Sequence, residues 1–223
     1  PPAIAPNGTK LARYDAYLRK ENTVDKLDRL LKLVDAANAE DPNLEWVEGV
    51  AVPKALRYGR HMSAWLERLR PDAPDPLRIA ARAQHICRWK RPRSAYPMDR
   101  KGYLKWRRNL QNFHAETTAE LMARVGYETK TIERVGFLLR KRQLNRDPDT
   151  ATLEDCACLV FLTDHFPDFA RKTEPEKVVQ ILQKTWQKMS DQGRVEAMRL
   201  DFHEEARQLL CRALELPPED SAG

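Results

Sequence analysis

Glycine is scarce in this chain, at 8 of 223 residues, and no segment alternates apolar and polar residues over a strand's length. Both absences argue against a sheet protein and predict an all-α fold. No apolar run approaches the roughly 18 to 20 residues that span a bilayer. The first ten residues also lack the basic and apolar regions of a signal peptide. We therefore expect a cytoplasmic protein without membrane contact.

Cysteine is also sparse, and its spacing favours neither a disulfide framework nor a zinc site, although both roles stay open. Of the 4 cysteines, Cys156 and Cys158 form a C-x-C inside an apolar run, not a CxxC pair. Isolated thiols of this kind are more often small buried apolar groups. We expect reduced, buried cysteines, which favours a reducing compartment.

Capping residues and prolines mark where the predicted helices begin. The predicted helices cover 24–40, 53–69, 76–90, 100–125, 129–143, 153–166, 175–190 and 192–214. We predict a single helical domain over 9–215, with flexible tails at 1–8 and 216–223. This organisation is an all-α, single-domain helical bundle.

Two of these helices are apolar on every side and should lie at the centre of the bundle. They are 76–90, which carries His85, and 153–162, which carries Glu154 and Asp155 near its start. Buried polar groups need partners, so we expect His85 and Asp155 to converge in space. Two simpler interpretations stay open: a hydrogen-bonded core histidine, and a carboxylate favoured by the helix dipole.

The positive charge of the chain is concentrated in one segment. Residues 88–108 contain nine Lys and Arg against one Asp, a local charge of +8, while the whole chain carries +6. The remainder is therefore 6 − 8 = −2. Such a field beside aromatic rings suits a phosphate-bearing partner. The residues predicted to bind the substrate or its phosphate are Arg88, Trp89, Arg93, Tyr96, Arg107 and Lys141.

The order of histidines and acids resembles the HD metal-phosphohydrolase superfamily. Its pattern is a His, then a His-Asp pair, often a later His, and a final Asp. Here His61, His85, His114 and Asp155 occur in that order, and the resemblance implies that they ligate metal. Ile86 stands where the family has the Asp of its pair, and isoleucine offers no donor atom. We therefore expect at most one divalent ion, Zn²⁺, Mn²⁺ or Fe²⁺, held by imidazole and carboxylate.

A closer resemblance covers about 25–200. The strings AARAQHICRW, PRSAYPMDRKGYLKWR, LEDCACLVFL and KTWQKMS are similar to domain of unknown function 4202. Members are sometimes labelled glutamyl-tRNA synthetase-like, but this chain has no synthetase-type nucleotide motif. The resemblance implies a helical, HD-like fold and brings no established activity.

Three functions stay open on the sequence. The first is a hydrolase of a small phosphorylated substrate, such as a nucleotide, with His85, Asp155 and Glu154 as the catalytic residues. The second is a non-catalytic scaffold that binds a phosphorylated ligand through the same arginines. The third is an RNA-binding protein that combines stacking and phosphate contacts. A concave cluster of cations would favour a small ligand, and an open stripe would favour RNA.

Overall fold

The computed structural model describes residues 26–216, and the first of these, 26–39, form a helix, α1. An antiparallel hairpin follows, made of β1, Leu44–Val47, and β2, Val50–Pro53. Its two turn residues, Glu48 and Gly49, both have positive φ, 49° and 80°. That pair of angles is typical of the type I′ turn, whose twist matches the paired strands.

Nine further helices complete the described part of the chain. They are α2, Lys54–Leu69; α3, Asp75–Ala83; α4, Arg100–Val125; α5, Thr129–Leu139; α6, Pro148–Val160; α7, Phe166–Arg171; α8, Pro175–Trp186; α9, Asp191–Met198; and α10, Glu204–Leu214. The hairpin is the only sheet within residues 26–216. The prediction of an all-α, single-domain bundle is therefore confirmed, with a short hairpin that the sequence did not predict.

Helices α3 and α6 lie at the centre, as predicted. α3 packs on α2, α5 and α6, and its buried face includes Leu77 and Ile79. α2 approaches α3 so closely that a Cβ on Gly59 would lie 2.7 Å from the carbonyl oxygen of Arg82. Burial of each large apolar side chain of α3, such as Leu77 and Ile79, contributes about 1.5–3 kcal/mol to the stability of the fold. This packing fixes α3 against its neighbours.

The boundaries of the central helices differ from the predicted ones. α3 ends at Ala83 and does not continue to residue 90, because Cys87 has a left-handed φ of 50°. The backbone N–H of Cys87 instead donates to Oδ1 of the buried Asn38, at 3.0 Å. His85 thus lies in a turn after α3, before a single 3₁₀ turn over Arg88–Lys90.

Four other predicted helices also differ from the structure. α5 ends at Leu139 and α8 at Trp186, each four residues before its predicted end. α6 begins at Pro148, earlier than predicted, because Asp147 caps it by accepting from the backbone N–H of Thr150 at 2.8 Å. The predicted helix 192–214 is two helices, α9 and α10. A π-helical segment, Phe161–His165, joins α6 to α7. Such segments are frequent at functional sites, and this one borders a cavity described below.

The described residues include only some of the positions to which the remaining sequence predictions apply. The predicted tail at 1–8, all but residue 216 of the predicted tail at 216–223, and the start of the first predicted helix lie outside the described residues. Cys87, Cys156 and Cys158 are buried and unpaired, as predicted, while Cys211 is only partly buried. Between residues 26 and 216, no helix combines the length and the apolar character needed to cross a membrane.

Candidate functional site

His85 is held between a tyrosine and an arginine. Its ring stacks on Tyr58 of α2, with centroids 3.7 Å apart and planes at 16°. Its Nε2 lies 3.3 Å from Nη1 of Arg88. Because a guanidinium only donates, Nε2 is the acceptor and Nδ1 carries the proton. Burial, followed by the positive charge of Arg88, holds the pKa of His85 well below its usual value, so the ring is neutral at pH 7.

His114, on α4, has one ring nitrogen fixed and the other free. Its Nδ1 donates to the backbone carbonyl of Ile86 at 2.8 Å. Nε2 is therefore the unprotonated nitrogen, and no group within residues 26–216 donates to it. Burial lowers the pKa of His114 to about 4, which keeps the ring neutral. The rings of His85 and His114 lie with centroids 6.0 Å apart.

Two adjoining cavities share His85, Arg88 and Trp106 as lining residues. The smaller, which we call the basic pocket, has a volume of about 220 Å³ and lies among the turn after α3, α4 and the end of α5. The larger, which we call the aromatic pocket, has a volume of about 540 Å³ and reaches the hairpin and the π-helical segment. Together they place the basic segment around His85.

The basic pocket is positively charged and has no carboxylate in its described lining. Its three cations are Arg88, Arg107 and Lys141. Arg88 lies over the ring of Trp106 at 5.0 Å, and Nη1 of Arg107 is 3.4 Å from the Tyr103 hydroxyl. Across the described chain, neither arginine forms an ion pair with a carboxylate.

The electrostatic cost of this arrangement is visible at Arg88. Burial lowers the pKa of Arg88, and the nearby Arg107 lowers it further, although Tyr58 acts in the opposite direction. The protein therefore holds a partly buried guanidinium beside a second cation, and neither forms an ion pair with a carboxylate in the described chain. Glu154 interacts electrostatically with Arg107, but its carboxylate is paired with Lys141. An anion in the pocket would offset that cost.

Lys141 reaches the basic pocket from a strained backbone position. It follows α5 with a φ of 52°, in the left-handed region that favours glycine. Its ammonium forms an ion pair with Glu154 of α6, and Lys188 lies 3.8 Å from the other oxygen of that carboxylate. Burial raises the pKa of Glu154, but the contact with Lys141, together with the charges of Lys188 and Arg107, lowers it by more, so the net pKa is lowered. Glu154 is thus a buried, ionised partner of Lys141.

The aromatic pocket contains carboxylates as well as cations, with three Asp or Glu and five Lys or Arg in its lining, Arg93 among them. Arg57 lies 2.8 Å from Glu45 and 3.5 Å from Asp164. His61 contacts the same Asp164, with Nδ1 2.5 Å from Oδ2. Trp89 lines this pocket, as does Phe161 from the π-helical segment. His61 is therefore engaged by a carboxylate.

Two residues predicted to bind phosphate are engaged in holding the loop before α4. Arg93 donates to the carbonyl oxygens of Tyr96 at 2.9 Å and Pro97 at 2.6 Å. The Tyr96 hydroxyl accepts from Asn109 at 3.1 Å, and Tyr96 lines neither cavity among the described residues. Both side chains fix the loop that precedes α4.

Asp155 faces α9. Its carboxylate accepts from the backbone N–H of Ser190 at 2.8 Å and from the Ser190 hydroxyl at 2.5 Å. Gly193 packs so tightly there that a Cβ would lie 2.3 Å from Oδ1 of Asp155. The sequence predicts that Asp155 meets His85, whereas in the structure the carboxylate of Asp155 contacts Ser190 at the start of α9. Asp155 lines neither of the two cavities among the described residues.

These positions do not fit the metal site that the HD resemblance implies. Within residues 26–216, no group of three or more His, Cys, Asp or Glu side chains is placed to hold a metal ion. His61 contacts Asp164, His114 donates to a backbone carbonyl, and Asp155 contacts Ser190. We derive no chemical step through a metal, and the single divalent ion stays a prediction.

Sequence reasoning missed two glutamines in the basic pocket, Gln84 and Gln111. Gln84 is buried, and its Oε1 has no partner in the described part of the chain. A sequence signal existed for Gln111, because it precedes His114 by one helical turn of α4 and shares its face. Gln84 carried no such signal, since it lies beyond the end of α3.

Comparison with known proteins identifies the class to which this chain belongs. The family model described as Domain of unknown function (DUF4202) matches residues 28–210, and the chain is therefore a member of that family. No match is found among curated proteins or among solved structures. The likeness to HD domains stays a prediction.

Proposed function

We propose that this protein binds a small phosphorylated molecule in the basic pocket. The observation that carries the proposal is the pair Arg88 and Arg107, two cations without carboxylate partners in the described chain, in a concavity without acids. Guanidinium groups hold phosphate oxygens through paired, charge-assisted hydrogen bonds. A phosphate between them would supply the missing counter-charge.

Lys141 is the third cation of the proposed site. Its ion pair with Glu154 holds the ammonium at the wall of the basic pocket, where it adds to the positive field. The second lysine at Glu154, Lys188, keeps the carboxylate partly neutralised when Lys141 contacts a ligand. Lys141 can therefore turn toward phosphate without leaving Glu154 entirely unpaired.

The size of the pocket argues for a compact ligand. Its volume of about 220 Å³ is below the range of roughly 300–1,000 Å³ that is usual for drug-sized ligands. A larger phosphorylated molecule, such as a nucleotide, would extend past Trp106 into the aromatic pocket. The shared lining of the two cavities supports such an extension, with Trp106 available for stacking.

The concave arrangement favours this function over RNA binding. Arg88, Arg107 and Lys141 converge from three chain segments on one small cavity, whereas single-stranded RNA is usually tracked by an open groove. Other cations of the basic segment, such as Lys105 and Arg108, are exposed on α4. These exposed cations provide the matched controls used below.

Hydrolysis of the bound ester stays a prediction. His85 is neutral and its Nε2 is engaged by Arg88, while Asp155 and Glu154 contact Ser190 and Lys141. A phosphate-release assay with and without added Mn²⁺ or Zn²⁺ tests the hydrolase directly. Binding without release would favour the non-catalytic scaffold.

Calorimetric titration with propyl phosphate tests the binding proposal, with 1-propanol as the ligand that lacks the anion. We expect the phosphate ester alone to bind. Arg88→Gln should weaken binding about 10- to 100-fold, because hydrogen bonds to charged groups contribute about 1.5–3 kcal/mol. Equal affinity in wild type and Arg88→Gln, or no binding of any phosphate ester, would overturn the proposal.

A further inference from the structure

The basic pocket contains buried acceptors that its cations do not satisfy. Nε2 of His114 and Oε1 of Gln84 have no hydrogen-bond partner among the described residues. Both side chains are more than nine-tenths buried, at 4% and 5% exposure, and both line the same pocket. A buried acceptor without a donor destabilises the fold, so two in one small cavity call for an explanation.

A backbone contact determines which ring nitrogen of His114 carries the proton. The Ile86 carbonyl can only accept, so it takes the Nδ1 proton and leaves a lone pair on Nε2. A fully ionised phosphate group has acceptors only, so it can bind Arg88 and Arg107 but cannot bind this nitrogen. The missing partner of His114 is a hydrogen-bond donor.

We propose that the ligand carries at least one hydroxyl group close to its phosphate, as a sugar phosphate or another polyol phosphate does, and that His114 Nε2 accepts from this hydroxyl. The proposal rests on the proposed function, because the same pocket supplies the phosphate contacts. His114 then selects hydroxylated esters, while the arginines supply affinity for phosphate.

The other polar side chains of the pocket fit a hydroxylated ligand. Gln84 and Gln111 both line it, and an amide offers a donor and an acceptor to neighbouring hydroxyl groups. Nε2 of His114 and Oε1 of Gln84 are themselves shielded from solvent. The entering hydroxyl group must therefore displace a side chain that lines the pocket.

A matched pair of probes isolates the hydroxyl contribution. Glycerol 3-phosphate and propyl phosphate share a three-carbon chain and a phosphate, and only the first has hydroxyl groups. We expect the wild-type protein to bind glycerol 3-phosphate about tenfold more tightly in calorimetry, the equivalent of one well-made hydrogen bond. Equal affinities would overturn the inference and leave the proposed function standing. Binding of neither probe would count against the proposed function itself.

The residue assignment is tested with His114→Asn. The asparagine amide can still donate to the Ile86 carbonyl but has no counterpart of Nε2, so the affinity ratio of the two probes should fall close to one. An unchanged ratio in a folded variant would overturn the role of His114. A second measurement needs no variant: the Nε2 nitrogen resonance of wild-type His114 should shift with glycerol 3-phosphate and not with propyl phosphate. Identical responses to both probes would also overturn it.

Discussion

Nδ1 of His114 lies 2.8 Å from the backbone carbonyl oxygen of Ile86. Ile86 occupies the position where the HD resemblance would require an aspartate, and its side chain is fully buried. The position thus contributes a carbonyl that fixes the tautomer of a histidine, in place of a carboxylate that would bind metal. This contact connects the turn after α3 to α4 and leaves Nε2 as the unprotonated nitrogen of His114.

The stability of the protein should fall as the pH drops below the ordinary pKa of histidine. Burial lowers the pKa of His114 to about 4 in the folded state, whereas the unfolded chain has a value near 6.5. Since the folded pKa is the lower one, the stabilisation is fully present above about pH 6.5 and is lost as the pH falls toward 4. His85 acts in the same direction.

Urea unfolding at about pH 7 and about pH 5 measures this effect. His114 alone should account for roughly 2 kcal/mol of the loss between these pH values. In His114→Asn the loss should be smaller by about that amount. A variant whose stability falls as steeply as that of the wild type would show that His114 is not the titrating group.

Lys141 should show separable effects of strain and charge. The substitutions Lys141→Gly and Lys141→Ala both remove the ammonium group. Only glycine relieves the strain of the left-handed backbone at this position. Lys141→Gly should therefore be about 1 kcal/mol more stable than Lys141→Ala in chemical denaturation. Both variants should bind propyl phosphate equally weakly. A glycine variant no more stable than the alanine variant would contradict the strain argument.

Asp155 should behave as a structural carboxylate. Asp155→Asn keeps an oxygen that accepts from the backbone N–H of Ser190 and an amide that can donate to its hydroxyl. Asp155→Ala keeps neither and should lose about 2 kcal/mol of unfolding free energy, because Ser190 and the start of α9 lose their partner. The asparagine variant should stay close to wild type in both stability and binding. Loss of ligand binding in a stable Asp155→Asn protein would contradict this and show that Asp155 takes part in the site.

Chelation should leave phosphate binding unchanged. The arginines and Lys141 supply the positive charge of the basic pocket, and the described residues do not assemble a metal donor set. Calorimetry after treatment with EDTA should give the same affinity for propyl phosphate. A tenfold loss that Zn²⁺ or Mn²⁺ reverses would show that metal is part of the site.

The sequence predicted those features that depend on local signals. Caps and prolines located α2 and α4, and apolar residues on all sides predicted that α3 and α6 lie at the centre. The end of α3 was not predictable in this way, because the left-handed Cys87 is held by the hydrogen bond that its backbone N–H donates to Asn38 on α1. Tertiary contacts of this kind override local propensity.

The candidate site was likewise predictable only in part. The charge of the basic segment pointed to Arg88 and Arg107, which the structure brings to one pocket. The partners of Asp155 and His61 were not predictable, since Ser190 and Asp164 lie on segments joined to them only by the fold. Residue type and order suggested a metal site, whereas the structure gathers three cations, Arg88, Arg107 and Lys141, around one cavity.

The most direct test of the anion pocket compares two neighbouring arginines on α4. Arg107 lines the basic pocket, and Arg108 is exposed and does not. The variants Arg107→Gln and Arg108→Gln remove the same charge at adjacent positions. Propyl phosphate is titrated by calorimetry into each variant and into the wild type. We predict that Arg107→Gln weakens binding about tenfold or more, whereas Arg108→Gln changes it less than about twofold. Equal losses in the two variants would indicate an open basic face of the kind that RNA binds, and would contradict a phosphate pocket at His85.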